Sequence, residues 1–234
     1  PREPAPREPL LGLRRLSRSA LEQIGSLGEL RSARAGERWT PALLGFEERL
    51  LAAMDALAAL GAPFESERDD GGWETLRLDI AREAIDHAGD AFTIDPMRAF
   101  AAAFVLGNLE GDDAARAAVL ALARSHRETH EAQAEALALA SSPALGPALA
   151  RLALRGQPHV ARTALGVLRA RREAPFGHCA VLLQHPDPGV RGAAARCLGL
   201  VPERGPAIVA LTPLPRRSML SEARKLDSPA LLAP

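Results

Sequence analysis

HPDPGVRGAAARCLG, residues His185 to Gly199, decides the fold, because Asp-Pro ahead of an alanine-rich run reads either as one helix start or as one copy of a repeat. Asp187 suits the cap of a helix: its carboxylate accepts a backbone N–H and its charge favours the positive end of the helix dipole. Pro188 fits the first turn, where its missing N–H is not needed. Val190, Ala193, Ala194, Cys197 and Leu198 then follow the i, i+3, i+4, i+7, i+8 spacing of one helix face.

The same face recurs upstream. Thirty residues earlier, Val160, Thr163, Ala164, Val167 and Leu168 occupy equivalent positions. Ninety-two residues earlier, DPMRAFAAAFVLG (Asp95 to Gly107) shares the Asp, the Pro, three consecutive Ala, the Leu and the Gly. The helices between supply partner faces: Leu145, Ala148, Leu149 and Leu152 in one unit, Phe176, Cys179, Ala180 and Leu183 in the next. Helices are therefore expected near 95–109, 112–125, 128–140, 143–155, 157–170, 175–184 and 187–200. Two helices and two turns form a unit of about 30 residues, and a single such hairpin cannot bury its small-residue face alone, so neighbours must stack.

Upstream of residue 95 the pattern differs. PREPAPREP at 1–9 favours an extended, disordered tail. A helical segment from Leu10 is expected to be interrupted at Gly25 and Gly28. Thr40 as cap and Pro41 at the first position open another helix, with Phe46, Leu50, Ala53, Leu57 and Leu60 on one stripe and Gly61 with Pro63 as its stop. The acidic connection ESERDDGG then leads to a helix expected from Trp73 to Ala88, closed by Gly89, and no strand is expected anywhere. The organisation predicted is all-α: a tail at 1–9, an N-terminal helical cap at 10–90, a short alpha-alpha superhelix (solenoid) at 91–211, and a Pro-containing tail at 212–234.

LLQHPDPGVRGAAARCLGLV resembles a HEAT-like repeat of the short, Ala-rich kind found in phycobilisome-lyase-related proteins. The resemblance implies structural roles for Asp187, capping the second helix, and Arg191, bridging towards the adjacent unit. Ala161 and Ala99 stand at the position of Arg191 in two other units, so the ladder of such pairs is discontinuous. The order of an N-terminal helix, a helix such as GFEERLLAAMDAL, an acidic connection with Trp and Ala-rich units is similar to a group of bacterial HEAT-repeat proteins, some beside secretion-system genes. That likeness implies an accessory or adaptor role.

Composition narrows the function classes. Hydrophobic residues make up 47%, but aromatics only 3% with no Tyr, so the core must be built from Ala and Leu, both strong helix formers. Formal net charge is zero, which gives no general field for nucleic acid. Residues 1–40 are nevertheless basic, with eight Arg against five Glu, and 62–95 acidic, with ten acids against three Arg. The longest uncharged apolar run, AFAAAFVLG at 99–107, is far short of the roughly 20 residues that span a bilayer, so a cytoplasmic protein without a membrane partner is expected. Cys179 and Cys197 fall on core faces and read as buried thiols.

No constellation of catalytic, cofactor-binding or metal-binding residues emerges. HRETH places His126 and His130 four apart, but its Glu128 sits at the third position, unlike H-E-x-x-H, and it reads as a solvated turn. His178 and Cys179 are adjacent on a helix, where side chains point about 100° apart and cannot act as base and nucleophile. The residues favoured for binding another protein are Arg162, Arg169 and Arg196, opposite the core stripe on the second helices. Phe100 and Phe104 fall at the positions of Gly192 and Arg196; two readings stay open, rings buried under the N-terminal helices or rings presented to a partner. The function expected is a non-enzymatic scaffold or adaptor, with no small-molecule substrate; the alternatives are nucleic-acid binding, as in HEAT-like alkylpurine glycosylases, and a bilin lyase-like enzyme.

Overall fold

The computed structural model describes residues 8–33, 41–67, 72–89 and 95–199. Residues 1–7, the expected cap Thr40 and the 212–234 segment lie outside them. The described residues form ten helices and one small sheet: α1 (Glu8–Ala33), α2 (Pro41–Leu60), β1 (Phe64–Glu67), β2 (Trp73–Leu76), α3 (Ile80–Ala88), α4 (Pro96–Asn108), α5 (Asp112–Arg124), α6 (Arg127–Leu139), α7 (Leu145–Arg155), α8 (Pro158–Ala170), α9 (Phe176–Leu182) and α10 (Pro188–Leu198). The protein is mostly helical, as its Ala- and Leu-rich composition requires. No helix among the described residues is long and apolar enough to cross a membrane.

The chain folds as two compact units. The first holds the described residues as far as Leu109 together with Ser125–Ala136; the second holds Glu110–Arg124 and the described residues from Leu137 on. The backbone therefore passes between units three times.

In the first unit α1 packs on α2, α3 and α4, and α3 packs on α4. α4 is buried without interruption from Ala99 to Gly107, which explains why its apolar residues surround the whole helix instead of forming a stripe. α1 corrects one expectation, since it runs through Gly25 and Gly28 without a break. Both glycines mark close approach to α4. A Cβ on Gly25 would lie 2.8 Å from the Met97 carbonyl oxygen, and one on Gly28 would meet the Phe100 ring. Each glycine costs helix propensity, about 1 kcal/mol against Ala, and tight packing offsets that cost. Arg31 joins three elements of this unit, pairing with Glu47 of α2 at 3.1 Å and Glu135 of α6 at 2.8 Å.

The expectation of no strand also fails. Phe64–Glu67 and Trp73–Leu76 pair antiparallel, Phe64 opposite Leu76 and Glu65 opposite Thr75, whose hydroxyl donates to the Glu65 carboxylate at 2.8 Å. Four-residue strands carry too little alternation to separate from a helical turn, and Trp73 with Leu76 also matches an i, i+3 pair. α3 starts only at Ile80, where Asp79 accepts the Arg82 N–H at 3.0 Å.

In the second unit α7 packs on α8 and α9 on α10, while α5 lies beside α7, α7 beside α9, and α8 beside α10. Of the expected faces, Leu145, Ala148 and Leu149 on α7, Val160, Ala164, Val167 and Leu168 on α8, Cys179 and Leu183 at α9, and Val190, Ala193, Ala194, Cys197 and Leu198 on α10 are buried, while Leu152, Thr163, Phe176 and Ala180 are only part-buried. Asp187 caps α10, accepting the Val190 N–H at 2.9 Å. α8 ends in a turn through Arg172, whose φ of 57° is left-handed; the Arg172 N–H donates to the Arg169 carbonyl at 3.0 Å and the Glu173 N–H to the Leu168 carbonyl at 2.9 Å. This is a Schellman ending with Arg where Gly is usual.

Beside that turn lies a buried charge the sequence did not reveal. The Arg171 side chain, 6% exposed, pairs with Glu173 and donates to the carbonyls of Leu137, Ala140 and Ser142. One guanidinium thus satisfies the end of α6 and the turn that follows. The Glu173 carboxylate lies against Gly146 in the first turn of α7, where Ala144 supplies no side-chain cap.

Candidate functional site

Of the three arginines expected on the second helices, Arg162 and Arg169 are exposed on α8 with Gly166 between them and open space over that glycine. Arg196 is half-buried on α10. Their surroundings differ. Arg162 leans towards the next hairpin: a Cβ placed on Gly189, in the first turn of α10, would lie 2.8 Å from its Cδ and Nη1 and 3.1 Å from Asp187 Oδ1. Arg191, expected to bridge between units, instead closes its own turn by donating to the carbonyls of His185 at 2.9 Å and Pro186 at 2.8 Å. Arg162 reaches towards the following hairpin, and Arg171 reaches back to the preceding one. At the positions equivalent to Arg191, Ala161 and Ala99 are fully buried, where a guanidinium has no room.

Phe100 and Phe104 are not outward-facing. They are 3% and 2% exposed and stack on each other with centroids 5.9 Å apart and ring planes within 7°. The first of the two readings describes them: α1 covers them, with Gly28 seated on the Phe100 ring. They are removed from the set of partner-binding residues. A cavity of about 260 Å³ opens beside them, lined by Gly28, Met97, Phe100 and Ala132. Of its three lining carboxylates, Asp95 accepts from the Met97 and Arg98 N–H groups, Glu135 pairs with Arg31, and Glu29 is exposed.

The histidine and cysteine candidates separate in space. His130 Nδ1 meets the Ser125 hydroxyl at 2.5 Å, while His126 Nδ1 faces the Glu128 N–H at 3.5 Å, so the two rings serve different local partners. Among the described residues no group of three or more His, Cys, Asp or Glu is placed to hold a metal ion. Cys179 and Cys197 are fully buried free thiols. Cys179 meets Cys197 and not His178; contact with that thiol, then burial, push Cys179 well above the ordinary thiol range. Such a thiol resists forming the thiolate that nucleophilic chemistry needs.

A further surface lies outside the positions expected from sequence, which are all on second helices. On the first helices of the second unit, Arg116, Leu120 and Arg124 of α5, Arg151 and Leu154 of α7, and Val181 of α9 are all exposed. The signal was available: these positions lie opposite the buried stripes Ala115, Ala118, Val119, Leu122 and Leu145, Leu149, Ala153.

No protein-family model, curated protein or solved structure matches the chain.

Proposed function

We propose that the chain is a non-enzymatic adaptor, a short HEAT-like solenoid preceded by a helical cap, that binds another protein on the face formed by α8 and α10. The observation that carries this reading is the like-on-like packing of the second unit, first helix beside first helix and second beside second. Such a stack is rigid and presents each layer as a continuous surface, which suits recognition and not turnover. Arg162, Arg169 and Arg196 supply that face with guanidinium donors, so a partner rich in carboxylates is favoured. A reducing, cytoplasmic setting, in which buried thiols stay free, belongs to this reading.

The test is retention of partners from the native host by the tagged chain and by the variant Arg162→Glu, Arg169→Glu, Arg196→Glu. Loss of the retained protein in the variant is expected, and an unchanged set of retained proteins rejects the assignment. Retention of duplex DNA that falls steeply with salt is the result expected of the nucleic-acid alternative.

A further inference from the structure

The exposed face of α5, α7 and α9 is a different surface from that of α8 and α10, and its chemistry is more specific. Arg116, Leu120 and Arg124 follow one another at i, i+4 and i+8 on α5, so they share one side of the helix. Arg151, Leu154 and Arg155 occupy the matching side of α7, opposite Leu145, Leu149 and Ala153 in the core. Val181, 63% exposed, occupies that side of α9, opposite Cys179 and Leu182. The three helices are neighbours in the order α5, α7, α9.

Two properties define the face. It is basic: α7 and α9 contain no acidic residue, and α5 has only Asp112 and Asp113 at its start, the latter paired with Arg116. Arg124, Arg151 and Arg155 have no ion-pair partner among the described residues. It also places one exposed aliphatic side chain on each helix, Leu120, Leu154 and Val181. Charge alone would suit phosphate, but aliphatic groups give nothing to a phosphate backbone, and no Trp, Tyr or exposed Phe stands on the three helices to stack on bases or anchor at a membrane interface; Phe176 and His178 of α9 are part-buried.

The spacing fits a helix. Packed helices lie about 8–10 Å apart. Seven residues of a helix laid across them advance about 10.5 Å, so aliphatic residues every second turn fall on successive helices. We infer that this face binds an acidic amphipathic helix of a partner protein, with aliphatic side chains at heptad spacing set on Leu120, Leu154 and Val181 and flanking carboxylates on Arg124, Arg151 and Arg155.

The probe is a fluorescein-labelled peptide of about 18 residues, long enough to hold a helix in water, with Leu at every seventh position in a Glu- and Ala-rich background. Its binding to the full chain is read by anisotropy. The wild-type chain binds it, and affinity falls on the order of tenfold in Arg124→Glu, Arg151→Glu and again in Leu154→Ser, Val181→Ser. The Arg162→Glu, Arg169→Glu, Arg196→Glu variant binds it unchanged, so this surface stands or falls separately from the α8 and α10 face. Circular dichroism of Arg124→Glu, Arg151→Glu and of Leu154→Ser, Val181→Ser matches the wild type because those side chains are exposed; if Arg124→Glu, Arg151→Glu loses helicity, Arg151→Gln takes its place, and if the triple variant loses helicity through the half-buried Arg196, Arg162→Glu, Arg169→Glu serves as the control. The inference is overturned if the peptide does not bind, if a peptide with each Leu replaced by Ala binds as tightly, or if phosphatidylserine vesicles or duplex DNA bind in its stead.

Discussion

At the scale of single residues, two positions in the first unit have their environment set by atoms far away in sequence. Gly28 is held under the Phe100 ring, and that ring cannot retreat because Phe104 stacks on it. Gly28→Ala, which would stabilise a free helix, is expected to destabilise this protein by about 1–3 kcal/mol, measured by urea unfolding, and Phe100→Leu in the same chain to recover part of the loss. His87 is the second. Its Nε2 is buried with no hydrogen-bond partner among the described residues, and burial first, then Arg98, hold the imidazole below its ordinary value of 6.5; Arg18 acts in the same direction, against Glu22 and Asp95. The folded state therefore prefers the neutral ring, while the unfolded chain takes up a proton at higher pH. Stability from this group is present above the unfolded value and declines as pH falls from about 6.5 towards the folded value. The thermal midpoint of His87→Asn is expected to fall less between about pH 7 and 5 than that of the wild type, and equal falls would remove the assignment.

At the scale of elements, the ending of α8 carries a mismatch between residue and conformation. Arg172 occupies the left-handed position of a Schellman turn, where a Cβ is costly and glycine is free of that cost. Its side chain is exposed, so Arg172→Gly is expected to raise stability by about 0.5–1 kcal/mol, read as a higher denaturation midpoint with an unchanged slope. Elements beginning in Asp-Pro, or in Pro behind a turn, were legible in the sequence, since cap and proline act within four residues of themselves; α4, α8 and α10 start where those signals stand. The elements misread are those whose cause is remote. Gly25 and Gly28 read as helix breaks because α4 is invisible locally, and the Phe64–Leu76 hairpin is stabilised by pairing across a turn. Arg171 had no signal at all, because its partners at Leu137, Ala140 and Ser142 are backbone carbonyls, which any residue supplies. Of the candidate binding residues, Arg162 and Arg169 were placed correctly as exposed by helix phase alone. Phase failed for Phe100 and Phe104, since a helix buried on every side has no outward position.

At the scale of the whole molecule, the proposed roles rest on layers and not on a pocket. The second unit offers two candidate faces, arginine with glycine on α8 and α10, arginine with aliphatic side chains on α5, α7 and α9, and the second is tested with the first as its control. The three passages of the backbone between the units have a further consequence. Neither unit is a contiguous stretch of chain, so no single breakpoint in the gene divides the protein into two complete bodies. A fusion or deletion ending near residue 110 leaves Ser125–Ala136 on the wrong side, with Glu135 cut off from Arg31. A HEAT-like array ordinarily grows or shrinks by gain or loss of whole hairpins. If the proposed HEAT-like reading holds, that route leaves both units whole only from Leu137 onward, beyond the last passage, so length variation among relatives is expected to fall there and to spare everything upstream.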